Sequence, residues 1–408
     1  MLLDHAQHFE QLTSLLATNA HYWRCQPFKA TPAWASAESP LTQAVYSLTD
    51  DTVHAAQASD NALLNALQSC LPEQCDSVRR LCELPNFQPA EAIQAPAHIP
   101  GRKWQQITHF GAALQHCDGP LLEWCAGKAH LGRWLNRHYN CSVTALECET
   151  ALVAQGNELA RAASRTEHRQ QLPALHVQHC DVLTGNNRRY LSKVNHAVAL
   201  HACGGLHRKL LTDATTQRIE RLSYSPCCYH KYLDDTYEPM SRAGLETDLR
   251  LSLTEVRGAV RQSTTAGNAE RARHRKLQSW RLGFDALQRE VRGMNEYLPT
   301  PPVSSTVLQG SFRDFCEWMA KHKQISTGGK IDFDAFEATG QTRYGQVARQ
   351  ELLRELFRRP LELWLVLDEV LFLEENGYRC DLGTFCEPDI TPRNLFINAT
   401  AGLSDRLL

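Results

Sequence analysis

Between Trp104 and Cys228 the chain alternates short apolar runs with amphipathic stretches at helical spacing. No other feature limits the fold as strongly. The runs "PLLEWCAG", "SVTALEC", "LHVQHCDVL", "HAVALHAC" and "RIERLSYSPC" each have the length of a buried strand. Helical patterns lie among them: "WQQITHFGAALQHC", "KAHLGRWLNRHY", "ETALVAQGNELARAAS" and "GGLHRKLLTDATTQ". Strands alternating with helices predict an α/β fold, a doubly wound Rossmann-like parallel sheet covered on both faces. Far downstream come the helix "LELWLVLDEVLFLEENG", the strand "YRCDLGTFC", a tight "EPDITP" turn and the strand "NLFINAT". These predict an antiparallel hairpin at the edge of the same sheet.

The rest reads as helical. Leu and Ala recur at helical spacing in "FEQLTSLLATNAHYW" and "NALLNALQSCL", and "FQPAEAIQAPAHIPGRK" reads as a linker. The expected division is therefore 1–98 as an N-terminal helical region, 99–230 as the α/β core, 231–345 as a helical insertion, and 346–408 as the closing helix and hairpin of that core.

Composition narrows the function classes. Lys and Arg number 43 against 45 Asp and Glu, so no bulk positive field draws the chain to nucleic acid. The start, "MLLDHAQHFEQL", has neither a basic n-region nor an apolar h-region, so a secretory leader is not expected. No membrane span is expected either, since the best apolar run is short and carries Asp368 and Glu369. The fifteen cysteines include no C-x-x-C pair, and reduced thiols in the cytoplasm are the expectation.

In open α/β sheets ligands bind at the carboxyl ends of the strands. There the sequence places Glu123, Cys125, Gly127 and Lys128 after the first strand, Glu147 and Cys148 after the second, and Asp181 and Val182 after the third. Gly127, Ala129 and Gly132 make a loose G-x-A-x-x-G, and an acid about twenty residues on can accept from ribose hydroxyls. A dinucleotide such as NAD and S-adenosylmethionine both fit that much. Three features favour S-adenosylmethionine. Glu123 beside a pyrophosphate would be repulsive, but it can serve a methionine ammonium through water. Asp181 can accept from an adenine amino group. The closing hairpin resembles the reversed last strand of class I methyltransferases. The competing reading makes these acids helix N-caps only.

The segments "EWCAGKAHLGRWL", "TALECE", "HCDVL", "ALHACGGL", "SPCCYHKY" and "EPDITPRNLFINA" occur in that order. Together they resemble a group of class I methyltransferases that includes the methyltransferase-like 25 proteins and the glutathione S-transferase C-terminal-domain-containing protein. The paired "HACGG" and "CCYH" segments are more distantly similar to those of tRNA ribose 2′-O-methyltransferases. The resemblance covers roughly 100–232 and 345–400. Cys125 and Ala129 stand where that group carries glycine, and Ala129 is expected to add a methyl group beside the cofactor.

The fold implied by the resemblance makes the fourth and fifth strands neighbours. That brings His201 and Cys203 close to Cys227, Cys228 and His230, where a methyl acceptor must sit. His201 and His230 are candidate general bases, with Cys203 and Cys228 beside them as candidate catalytic groups. His207, a turn into the next helix, is a weaker candidate. Tyr229 is a candidate stacking surface for the acceptor. The competing reading is a tetrahedral zinc site made by the two adjacent cysteines, a nearby histidine and one ligand from the neighbouring strand. No metal is expected, however: adjacent cysteines rarely chelate one ion without strain, and the usual ligand spacing is absent. RNA is the expected partner, through Lys103, Arg273 and Arg275 together with Trp280 and Phe284. Alternatives are a protein acceptor docked by the N-terminal helices, a small-molecule acceptor, a cofactor-binding scaffold without catalysis, and an NAD-dependent oxidoreductase.

Overall fold

The computed structural model describes residues 4–87, 99–117, 119–166, 172–260, 268–326 and 330–402. Most of the expected linker, residues 88–98, lies outside the described residues. The chain divides into two compact units: 1–14, 81–263 and 358–408 form one, and 15–80 with 264–357 form the other.

The first unit holds a seven-stranded sheet in the order β3-β2-β1-β4-β5-β7-β6. Its strands are β1 (Leu121–Glu123), β2 (Val143–Glu147), β3 (Leu175–His179), β4 (His196–Leu200), β5 (Arg221–Ser225), β6 (Tyr378–Thr384) and β7 (Leu395–Ala401). The first five pair in parallel, whereas β7 runs antiparallel to both β5 and β6. The strand order therefore reverses at β1 and β4, which opens a crevice at their carboxyl ends. Each expected strand forms, and the expected edge hairpin is β6–β7.

Helices α1 (Gly101–Ala113), α2 (His130–Tyr139), α3 (Thr150–Thr166) and α4 (Gly205–Gln217) serve the parallel half. One core cluster joins Ile107 and Phe110 of α1 to Leu131 and Leu135 of α2, with Leu121, Val143, Val198 and Phe396 from the sheet. Burying such side chains is worth about 1.5–3 kcal/mol each, the main favourable contribution to the layer.

Helix α5 (Arg358–Glu375) carries the acids that broke up the best apolar run. Glu362, Asp368 and Glu369 are almost wholly buried, and each has partners. Arg359 Nη1 lies 2.7 Å from Glu362. Asp368 accepts from Tyr237 Oη at 2.7 Å and from the Ser241 backbone and hydroxyl. Glu369 meets His207 Nε2 at 2.6 Å. No helix among the described residues is long and apolar enough to cross a membrane.

The second unit differs from the expected division. The N-terminal helices and the insertion form one helical body, the inserted part runs from 264 to 357, and 231–263 stay with the sheet. Its core gathers Trp280, Phe284, Leu287, Phe312, Phe315 and Met319.

Candidate active site at the carboxyl edge of the sheet

The loop after β1 keeps a glycine-rich shape with one glycine. Cys125, Gly127 and Ala129 all have positive φ, at 56°, 58° and 51°. Left-handed backbone costs an L-residue about 1–2 kcal/mol, so two of these positions carry strain. Ala129 does not crowd a cofactor as expected. It is fully buried, and its methyl group packs on Ala145 and Val177 beneath the loop. A Cβ built on Gly127 would meet nothing within 4 Å, so the loop is open on that side.

Glu147 closes β2 with both oxygens engaged. Gly127 N donates to Oε2 at 2.8 Å and Glu149 N donates to Oε1 at 2.9 Å. Oε1 also accepts from Cys148 Sγ at 3.4 Å, whereas Oε2 keeps a second lone pair for an incoming hydroxyl. Asp181 is exposed beyond β3 and caps its own turn through Leu183 N at 3.0 Å. Cys125 is half-buried. Burial pushes its thiol up, and the charges of Glu147, Cys148, Cys203 and Asp181 add to the shift, which puts these groups around one crevice.

Two of the expected cofactor contacts need correction. Glu123 is 4% exposed, and its Oε2 accepts from Gly132 N at 2.9 Å. Burial raises its carboxyl to about 8, so it braces the first turn of α2 in place of serving a ligand through water. Val182 is buried, so its side chain has no face to offer. Lys128 remains half-exposed on the loop.

Beyond β4 and β5 the paired segments form one structure. Gly204 has φ 45°, and a Cβ there would sit 1.9 Å from Lys231 O. Gly205 N donates to that same carbonyl at 2.8 Å. The two turns are packed backbone to backbone, which only glycine allows. This locking brings Cys203 Sγ to 3.3 Å from Cys227 Sγ, and Cys227 Sγ to 3.2 Å from His201 O.

His201 sits in left-handed backbone, φ 62°, and its ring is held in one tautomer. Gln106 donates its amide Nε2 to Ile390 O at 3.2 Å, which leaves Gln106 Oε1 to accept from His201 Nε2 at 3.2 Å. The lone pair then falls on Nδ1, a buried atom with no protein partner. Burial, then Arg393 and Lys103, lower this histidine to about 4, so the ring is neutral. His230 Nδ1 and Arg393 Nε are likewise buried and unpartnered.

Other side chains fall elsewhere. Tyr229 is 1% exposed, with its hydroxyl 3.4 Å from Glu362, so it cannot stack on an acceptor. Its neighbour Tyr232 is 61% exposed on the same turn. His207 is shut in against Glu369. Arg273 and Arg275 belong to the second unit, where Asp50 partners Arg275 at 3.4 Å. Trp280 and Phe284 are core there and face no base. Sequence reading missed Gln106, Arg393 and Tyr232. Only Tyr232 left a signal, an aromatic at the end of "CCYHKY".

Residues 102–234 match the model of a family described as a methyltransferase domain. Among solved structures, a putative sarcosine dimethylglycine methyltransferase from Galdieria sulphuraria aligns at 11% identity and a TM-score of 0.26, over 34% of this chain and 53% of that one. The geranyl diphosphate C-methyltransferase of Streptomyces coelicolor aligns at 15% and 0.23, over 38% and 65%. A cyclopropane synthase of Mycobacterium tuberculosis aligns at 11% and 0.26, over 88% and 96%. The chain thus spans about half of the first of these and just under two thirds of the second. The strand order and the matched domain carry the assignment: residues 102–234 are a methyltransferase domain, and S-adenosylmethionine is the cofactor of such a domain.

Proposed function

We propose that this chain transfers a methyl group from S-adenosylmethionine to an oxygen or nitrogen nucleophile, and that the acceptor is RNA. One observation carries the reading. The same sheet edge holds a carboxylate at the end of β2, Glu147, under an open glycine loop, and a neutral histidine nitrogen, His201 Nδ1, fixed by Gln106 and without a partner.

The residues fit the cofactor. Gly127 leaves open space over the loop, Glu147 Oε2 keeps a lone pair for a ribose hydroxyl, and Asp181 offers a carboxylate to an adenine amino group. When bound, S-adenosylmethionine supplies an electrophilic methyl carbon on a sulfonium. The protein must then hold a nucleophile in line and take its proton. His201 Nδ1 takes the proton, and Gln106 positions the ring. Cys203 and Cys228 line the approach, and His230 offers a second unpartnered nitrogen beside it.

The RNA reading rests on Lys103, Lys231 and Arg393 around these groups and on the exposed ring of Tyr232. Cations neutralise phosphates, and base stacking on an aromatic is worth about 1–3 kcal/mol. The test is transfer of labelled methyl into extract from cells lacking the gene, followed by ribonuclease or protease. Ribonuclease-released label, reduced with Glu147→Ala and with Gln106→Ala, supports the reading. Label released by protease alone overturns RNA as the acceptor, and no label despite cofactor binding overturns catalysis.

A further inference from the structure

Cys203, Cys227 and Cys228 come from two different strand ends, yet their three sulfurs all lie within 4.8 Å of one another. We propose that these three thiolates bind one thiophilic metal ion of the Zn2+ class and leave a fourth coordination position open toward the crevice. Adjacency of Cys227 and Cys228 argued against chelation in sequence. The structure adds the distance that sequence could not give: the β4–β5 pairing delivers Cys203 at 3.3 Å from Cys227.

The geometry suits such an ion. Zinc–sulfur bonds of about 2.3 Å at tetrahedral angles separate neighbouring sulfurs by about 3.8 Å. The Cys203 and Cys227 sulfurs lie 3.3 Å apart and all three lie within 4.8 Å of one another, so small side-chain rotations suffice. The backbone is already set: Gly205 N bonds Lys231 O at 2.8 Å and Lys231 N bonds Cys228 O at 3.0 Å, so the two turns move as one piece. Cys227 is buried, whereas Cys203 and Cys228 are half-exposed, which gives an ion a way in from solvent. Three thiolates and one divalent ion sum to −1, and the Lys231 and Arg393 charges act on Cys228. A soft, all-sulfur donor set selects Zn2+ over the hard ions. Three protein ligands with one open position is the pattern of reactive zinc sites, in contrast to the closed four-ligand pattern of structural ones.

The ion would sit in the crevice assigned above to methyl transfer, but the proposal does not depend on that assignment and its test reads the metal alone. Full-length protein, stripped with chelator under reducing conditions, is titrated with Co2+ and then with Zn2+. The expected result is one equivalent of Co2+ per chain with thiolate-to-cobalt charge-transfer bands that Zn2+ abolishes. Cys203→Ser, Cys227→Ser and Cys228→Ser should each lose those bands, whereas Cys148→Ser, which removes an exposed thiol, should keep them. Circular dichroism on each variant separates a lost site from a lost fold. Absence of the bands in the folded wild-type protein overturns the proposal, as does their survival in folded Cys227→Ser. Cofactor binding, measured by calorimetry on the same preparations, reports separately on the methyltransferase reading.

Discussion

Two carboxylates at successive strand ends have opposite fates, and each predicts its own phenotype. Glu147 Oε2 keeps a lone pair free for a ribose hydroxyl, so Glu147→Ala should weaken S-adenosylmethionine binding while the fold persists. Hydrogen bonds to a charged acceptor contribute about 1.5–3 kcal/mol each, so calorimetry should show a loss of about tenfold to a hundredfold. An unchanged affinity would remove Glu147 from the site. Glu123 is enclosed, and its carboxyl rises from the ordinary 4.5 to about 8 on folding. Between those values the unfolded chain is ionised while the folded one holds its proton. The group's stabilisation is therefore complete below the lower value and is lost as pH rises through the upper one. Glu123→Gln still accepts from Gly132 N but cannot ionise, so it should flatten the decline in urea midpoint between about pH 5.5 and about pH 8. Across that window each pH unit is worth about 1.4 kcal/mol. Equal declines in both proteins would mean that Glu123 is ionised when folded. Sequence position made these acids look alike. Both are buried, and what distinguishes them is what each one meets, Gly132 N nine residues further on in one case and the open loop at Gly127 in the other. Gln106 left no trace in sequence because it meets His201 across 95 residues.

At the scale of elements, the paired turns after β4 and β5 make the sharpest prediction. A methyl group on Gly204 would lie 1.9 Å from Lys231 O, and one on Gly205 would lie 2.1 Å from Tyr232 O. Backbone cannot step aside cheaply, so Gly204→Ala or Gly205→Ala should cost about 3 kcal/mol or more in denaturant unfolding. Gly127→Ala meets only open space and should cost about 1–2 kcal/mol, from its positive φ alone. If all three variants lose equal stability, the two turns are not packed as described. The alternation of strands and helices was legible because periodicity is local, and every strand of the sheet falls where an apolar run predicts it. The acids of α5 were legible only as interruptions. Their partners Tyr229, Tyr237 and His207 lie 133, 131 and 162 residues away, and that pairing turns a charged stretch into a buried helix.

For the molecule as a whole, the order of segments misleads. Four consecutive pieces were expected, but the chain crosses between its two units at residues 14/15, 80/81, 263/264 and 357/358. Local pattern carries no information about which helices will share a core. In the second unit, helix Phe333–Leu356 is held by both parts. Arg349 Nη2 donates to Leu48 O at 2.6 Å and to Asp50 Oδ1 at 2.9 Å, and Gln350 Nε2 bonds Tyr46 Oη at 2.6 Å. From the inserted part, Gly340 and Gly283 meet where a Cβ on Gly340 would lie 2.6 Å from Gly283 N. A chain beginning at Leu81 would leave Arg349 and Gln350 without those acceptors and expose the apolar side of their helix. It would also take Phe9 off Trp364, whose rings stack at 5.1 Å within the first unit. Limited proteolysis read by mass spectrometry should then find the first cuts within 264–357, a segment that resists cleavage in the full chain. A remnant stable without residues 15–80 would resist in both, and the second unit would then be a domain of the insertion alone. Early cuts would instead mean that the N-terminal helices are a structural half of that unit, and that a search for partners should start from the joined body and not from either segment by itself.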